Sequence, residues 1–266
     1  MSTLKTLLVQ AQLGWKDPER NRDHLEDLLA AADGPFDLAV LPETFATGFL
    51  GDSGLADEAM DGPTVSWMID QCRRHDCALV GSVVISEGGQ RFNRIVLATP
   101  GGVNAHYDKR HLFRMAGEHQ RYLPGQRRVI VEWRSWRILL QVCYDLRFPV
   151  FSRNRDDYDL AIYVANWPAQ RRLHWRQLLI ARAIENQAWV IGVNRAGQDG
   201  NGLVYPGASA VHSPMGETLV VMSAKGFGVA AVVEGDQLKG VITDGDLRRN
   251  LEGLTGRKAG EVATPN

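Results

Sequence analysis

The chain has 266 residues, 44% of them hydrophobic and 23% charged, with a formal net charge of −1. This is the composition of a globular chain with enough apolar residues for a sizeable core, and the near-neutral charge argues against a nucleic-acid or membrane-surface partner. No apolar run approaches the roughly 18 residues of a membrane span, and the N-terminal MSTLKTLLVQAQLGW turns polar too soon for a signal peptide. The three cysteines, Cys72, Cys77 and Cys143, have no paired spacing, and the seven histidines have no ligand spacing. Both facts argue against a disulfide scaffold or a zinc site and point to a reducing cytoplasm.

In chain order, Thr6–Leu13 reads as a strand. Asp17-Pro18 reads as a helix cap and first-turn proline, with Leu25, Leu28, Leu29 and Ala32 at helical spacing. Leu38–Leu41 is a short buried strand stopped by Pro42-Glu43. Pro63 opens a second helix with Val65, Met68, Ile69 and Cys72 on one face. Ala78–Ile85 and Phe92–Thr99 form a hairpin over Gly88-Gly89, and Val103–Tyr107 follows another glycine turn. A long polar loop runs from Asp108 to Gly125. Val129–Trp133 and Trp136–Val142 make a further hairpin, Leu160–Val164 is a strand, and His174–Ala188 is a helix. Trp189–Asn194, Gly207–Ser213 and Glu217–Met222 complete the strand series. Strands alternating with helices, many of the strands paired as hairpins, imply an α/β protein of mixed sheets covered by helices.

Three residues stand just beyond apolar strands: Glu43 after LAVLP, Lys109 after VNAHYD and Cys143 after ILLQV. Catalytic groups collect beyond strand ends in layered α/β folds, so the three could share one site. A Lys ammonium near a cysteine would lower the thiol pKa, a carboxylate would carry its proton, and Lys109 with the backbone N–H of Tyr144 would hold an oxyanion. Singly, each has a plainer reading. Cys143 ends an apolar run as a core cysteine would, Glu43 fits a turn, and Lys109 in DKRH fits a solvated loop.

The joint pattern resembles the nitrilase, or carbon–nitrogen hydrolase, superfamily. The resemblance rests on LPETFATGF, YDKRHLF and CYDLRFP, and extends to GEHQRYLPG at 117–125, VANWPAQRRLHW at 164–175 and ARAIENQAWVIGVNR at 181–195. It implies a nitrilase-type α-β-β-α sandwich, usually paired into a homodimer or higher homo-oligomer. It also implies a Glu43–Lys109–Cys143 triad, with Glu118 supporting Lys109. The local wording is most like the omega-amidases, which hydrolyse the terminal amide of 2-oxoglutaramate and 2-oxosuccinamate without metal or organic cofactor. Such a substrate carries a carboxylate that calls for a cationic side chain. Arg147, Arg114, Arg171 and Arg172 are the choices, while Phe49, Asn166 and Trp167 complete the substrate-binding set. Arg147 has an alternative as an ion-pair partner of Asp145 that shapes the turn, and Arg171 and Arg172 as solvated charges at a helix start. Nitriles, N-carbamyl amino acids and deaminated glutathione are other substrates of the superfamily.

The resemblance covers residues 1 to about 222. The tail GFGVAAVVEGDQLKGVITDGDLRRNLEGLTGRKAGEVATPN reads instead as strand Val229–Val233, a turn, strand Leu238–Thr243 and a helix from about Asp244 to Leu251. It resembles a single cystathionine-beta-synthase-type motif, as at the C-terminus of sugar-phosphate isomerases. Such motifs work in pairs that bind nucleotides. The division expected is therefore an amidase domain, 1–222, and an atypical β-β-α segment, 223–266, fused to it or packed on it. Thr243 and Asp244 either face a nucleotide or cap a helix. A second function follows: a nitrilase-like body of reduced or different amidase activity, whose tail senses a nucleotide or mediates assembly.

Overall fold

The computed structural model describes residues 3–221 and two further strand segments, 229–234 and 237–243. Its first sheet has five strands in sequential order: β1 (Thr6–Leu8), β2 (Leu38–Val40), β3 (Ala78–Glu87), β4 (Gln90–Thr99) and β5 (Gly102–Asp108). The first three are parallel, and β4 and β5 return antiparallel. Two helices cross over between the parallel strands, α1 (Pro18–Ala30) after β1 and α2 (Pro63–His75) after β2. Asp17 caps α1 by accepting the Arg20 N–H at 3.2 Å, ahead of Pro18 in the first turn.

The second sheet is built from β6 (Ile130–Trp133), β7 (Trp136–Val142), β8 (Leu160–Ala165) and β9 (Trp189–Asn194), where β7, β8 and β9 are parallel. A four-residue helix α3 (Pro149–Ser152) follows the turn after β7, and α4 (Arg172–Asn186) joins β8 to β9. A small hairpin, β10 (Ala196–Gln198) and β11 (Val204–Pro206), precedes β12 (Ala210–His212) and β13 (Thr218–Val221). Those last two strands extend the sheet antiparallel on the β9 side.

The period-2 alternation of strand side chains sets the layering. Leu38 and Val40 of β2, and Ile138, Leu140 and Val142 of β7, point into one core between the sheets, with Ile162 and Val164 of β8. Their alternate neighbours point outward. Ala39 packs under α1 and α2 with Leu25, Leu29, Val65 and Met68. Leu139, Ala161 and Tyr163 pack under α4 with Trp175, Leu179 and Ala183. The result is a helix–sheet–sheet–helix sandwich, the α/β class expected, and both parallel runs are buried on two faces.

Some expected elements change. The strand expected over Thr6–Leu13 ends at Leu8, because the chain then leaves β2 and ties to the hairpin instead: Gln12 bridges to Ala196, whose N–H donates to the Ala11 carbonyl at 2.9 Å. The strand expected over Gly207–Ser213 begins only at Ala210, since Gly207 and Ala208 both have positive φ. The long loop after β5 contains two short 3-10 turns, Arg114–Ala116 and Glu118–Gln120. In the tail, β14 (Val229–Glu234) and β15 (Gln237–Thr243) pair antiparallel, matching the two strands expected there. The helix expected from Asp244, and the side chains of Thr243 and Asp244, lie outside the described residues.

Candidate active site

Three strands deliver the site. Beyond β2, the segment from Leu41 to Phe45 runs on beside β3: Leu41 N–H donates to Val80, Thr44 N–H to the Ser82 hydroxyl and Phe45 N–H to the Ser82 carbonyl. That fixes Glu43, which is fully buried. Beyond β5, Lys109 is held by its neighbours on both sides. Its N–H donates to the Asn93 carbonyl at 2.9 Å, and its carbonyl accepts from Gly125 at 3.0 Å. The preceding Asp108 takes a bidentate grip from the buried Arg94, at 2.6 and 3.0 Å. Gly125 closes the loop so tightly that a Cβ there would lie 2.0 Å from the Asp108 carbonyl oxygen.

Beyond β7, Cys143 opens a 3-10 turn, Cys143–Arg147, with φ +45°. A non-glycine residue in that region is strained and persists only where its surroundings hold it. Asp145 does the holding. Its Oδ2 accepts the Val142 N–H at 3.1 Å and the Tyr107 hydroxyl at 2.9 Å. Its Oδ1 accepts the His111 N–H at 2.9 Å and faces His111 Nδ1 at 2.8 Å. The His111 ring in turn stacks on Phe148, the centroids 3.7 Å apart.

Glu43, Lys109 and Glu118, each 0% exposed, form one hydrogen-bonded cluster. The Lys109 ammonium donates to Glu43 Oε1 at 2.8 Å and to Glu118 Oε1 at 2.9 Å. Asn93 Nδ2 donates to the same two oxygens at 2.9 and 3.1 Å. Glu43 Oε2 accepts the Asn166 N–H at 2.8 Å, and Glu118 Oε2 accepts the Phe113 N–H at 2.5 Å. Two carboxylates and one ammonium out of water would be costly alone, and these added donors compensate the excess negative charge.

The electrostatics assign resting states. Burial pushes the Glu43 carboxyl up, but the Lys109 charge and the donated hydrogen bonds outweigh it and hold Glu43 below its ordinary value. Burial works against the Lys109 charge too, yet Glu118 and Glu43 hold its pKa above the ordinary lysine value. For Cys143, burial and the Glu43 carboxylate push the thiol well above its usual range, and the lowering by Lys109 is too small to offset them. The expected lysine-driven thiolate is thus reversed in net sign. With its partners ionised, Cys143 rests as a thiol and needs a base. The base at hand is Glu43, the carboxylate whose charge does most to keep the proton on the thiol.

Cys143 and Lys109 line a cavity of about 240 Å³ together with Phe49, Tyr144, Arg147, Asn166, Trp167 and Arg171. The structure therefore brings Phe49, Asn166, Trp167 and two of the four candidate arginines, Arg147 and Arg171, to one cavity, with Asn166 also serving Glu43. Arg114 and Arg172 are not among the lining residues; both are exposed. Arg147 does not pair with Asp145. Its guanidinium lies 5.0 Å from the Trp167 ring centroid and 5.9 Å from that of Tyr144. Arg171 lies 5.1 Å from the Phe113 ring centroid. Among the described residues neither arginine has a carboxylate within salt-bridge distance.

Sequence reasoning missed Asn93 and the role of Asp145. It also missed the far wall, Asp199, Asn201, Leu203 and Tyr205, supplied by the β10–β11 hairpin. The turn DGNGL between those strands was the available signal. Asp199 Oδ1 accepts the N–H groups of Asn201 and Leu203, both at 2.9 Å, and so shapes the hairpin tip.

Known proteins resemble the chain over most of its length. Residues 7–232 match the family model described as carbon-nitrogen hydrolase, a match that runs past Met222 into β14. The omega-amidase YafV of Escherichia coli is 51% identical over 224 residues, covering 84% of this chain and 87% of that one. The 2-oxoglutaramate amidase of Bacillus subtilis is 31% identical over 218 residues, covering 79% and 83%. A crystal structure of a CN-hydrolase superfamily protein from Xanthomonas campestris, with an arsenic adduct in its active site, is 44% identical. It superposes with a TM-score of 0.82 over 97% of this chain and 98% of that one.

Proposed function

The chain belongs to the carbon–nitrogen hydrolase family, and from that premise we propose that it is a Cys-dependent omega-amidase. Its substrates are small 2-oxo acids with a terminal amide, 2-oxoglutaramate and 2-oxosuccinamate, and its products the dicarboxylate and ammonia. The observation that carries the reading is the pairing of chemistry with charge. The buried Glu43–Lys109–Glu118 cluster abuts Cys143 on one cavity, and Arg147 and Arg171 line that cavity with no carboxylate partner of their own. An amide bearing a carboxylate at its other end supplies both what Cys143 attacks and what an uncompensated guanidinium binds.

The cycle follows from the resting states. Glu43 takes the Cys143 proton as Sγ bonds to the amide carbonyl carbon, and the carbonyl π electrons move onto oxygen. The oxyanion is held by the Lys109 ammonium and the Tyr144 N–H. As the tetrahedral intermediate collapses, the C–N bond breaks and Glu43 returns its proton to the leaving nitrogen, which departs as ammonia. A thioester on Cys143 remains. Glu43 then deprotonates a water that adds to the thioester carbonyl. The second collapse expels the sulfur, which regains a proton as the acid leaves. Lys109 acts by its fixed charge, because Glu43 and Glu118 hold it protonated.

We further read the protein as a homo-oligomer in a reducing cytoplasm. The three cysteines are all free, as a reducing compartment keeps them, and the family resemblance is what suggests the assembly. The test is ammonia release from 2-oxoglutaramate by the wild type and by Cys143→Ala. Turnover by the wild type and its loss in a variant with unchanged thermal unfolding supports the reading. Residual turnover above a trace in Cys143→Ala removes Cys143 as nucleophile.

A further inference from the structure

The Arg147 guanidinium donates from NH2 to the Nδ1 of His174 at 2.9 Å. Arginine has only donors, so the Nδ1 facing it offers a lone pair and the His174 ring carries its proton on Nε2. His174 lies in the first turn of α4, and its side chain is exposed. It is not among the residues lining the cavity, whereas Arg147 is. Arg147 is thus set from two directions: the Tyr144 and Trp167 rings flank its guanidinium, and one edge is tied to His174. A free arginine side chain carries rotamer entropy, and ordering it before binding removes that cost from substrate capture.

We propose that His174 is a positioning residue for the substrate carboxylate. It fixes the Arg147 fork over Trp167 so that the outward edge receives the carboxylate, and it does so without adding charge. An acidic anchor would order the guanidinium equally well but would neutralise it and compete with the ligand. A neutral imidazole acceptor orders it and leaves its charge available. This inference rests on the omega-amidase reading, since it requires a substrate with a carboxylate remote from the scissile amide.

The experiment measures kcat and KM for 2-oxoglutaramate and for pentanamide, an uncharged amide of the same chain length. The proteins are the wild type, His174→Ala, His174→Asn, Arg147→Ala and the Arg147→Ala/His174→Ala double variant. His174→Ala is expected to raise KM for 2-oxoglutaramate about tenfold while shifting KM for pentanamide less than twofold. Asn offers an acceptor at nearly the same reach as Nδ1, so His174→Asn is expected to recover most of the loss. In the double variant the His174 change is expected to add nothing to the Arg147 change, because its route is gone. Equal effects on the two substrates, full additivity with Arg147→Ala, or no effect on either would overturn the positioning role while leaving the amidase reading intact. A wild type that hydrolyses pentanamide but not 2-oxoglutaramate would overturn both.

Discussion

Asn93 donates its side-chain nitrogen to Glu43 at 2.9 Å, and the same nitrogen reaches Glu118 at 3.1 Å, so one neutral amide bridges the two carboxylates of the buried cluster. Both acceptors also share the Lys109 ammonium. Two carboxylates around one ammonium leave an excess of one negative charge, and the amide spreads hydrogen bonding across the pair without supplying a proton that could be lost.

Replacing Asn93 by Ala should therefore act on stability and on chemistry together. Two buried carboxylates each lose a charge-assisted hydrogen bond, which should cost about 1–3 kcal/mol of folding free energy. The Glu43 carboxylate also loses one of the donors that hold its pKa down. Urea unfolding should show the loss, and the acid limb of kcat/KM should move to higher pH. A stability loss with no movement of that limb would separate Asn93 from the electrostatics of Glu43.

Lys109→Met should reverse the pH dependence of stability. In the wild type, Glu43 is held below its ordinary pKa, so the stability it contributes is present above the unfolded carboxylate value and is lost as pH falls through the lower folded value. Lys109 is held above its ordinary pKa, so its contribution is full below the unfolded lysine value and is lost only as pH rises through the higher folded one. Between those limits the wild type should change little. Without the ammonium, burial raises the Glu43 carboxyl, whose contribution is then lost as pH rises. The variant should be destabilised by roughly 3–5 kcal/mol at pH 7 and should gain stability on acidification to pH 5. Urea midpoints at the two pH values measure this, and a variant less stable at pH 5 than at pH 7 would contradict it.

The parts of this site that a reader of the sequence could find are those delivered by local signals. Glu43, Lys109 and Cys143 each end an apolar run, so the switch in polarity marks them, and the strand alternation that layers the sandwich is equally local. Asn93 was illegible because QRFNRIVLAT is an ordinary strand; only the pairing of β4 with β5 brings it beside Lys109. Asp145 looked like an arginine partner because Arg147 is near in sequence. It instead accepts the Val142 N–H within its own turn, and its other partners, Tyr107 and His111, are 38 and 34 residues away. Arg171 and Arg172 are adjacent in sequence, and only the course of the backbone into α4 decides that the first lines the cavity. The strands β10 and β11 are three residues each, too short to show a period.

Removing residues 223–266 tests where the domain ends. The family match continues to residue 232 and so takes in most of β14, whereas the division expected from the sequence ends the amidase domain at residue 222. Truncation after Met222 should therefore lower the unfolding midpoint and change the elution volume of the protein in size-exclusion chromatography. Truncation after Thr243, which retains the β14–β15 pair, should do so less. If both truncated forms unfold and elute as the full chain does, the tail is an appendage to a domain that ends near residue 222.

Asp145→Asn should impair turnover more than binding. The carboxylate accepts two groups on each oxygen, and the Val142 N–H among them sits immediately before the strained Cys143. An amide keeps the shape but turns one acceptor oxygen into a donor facing donors. That removes hydrogen bonds to a charged group worth about 1.5–3 kcal/mol each. The positive φ at Cys143 is then held less firmly, and the sulfur departs from the line between Glu43 and the scissile carbonyl. Since Asp145 does not line the cavity, the binding contacts survive. The expected outcome is a fall in kcat of about 10- to 100-fold, as a barrier change of that size implies, with KM for 2-oxoglutaramate within about twofold of the wild type. A larger rise in KM than fall in kcat would mean that Asp145 shapes the cavity and not the placement of Cys143.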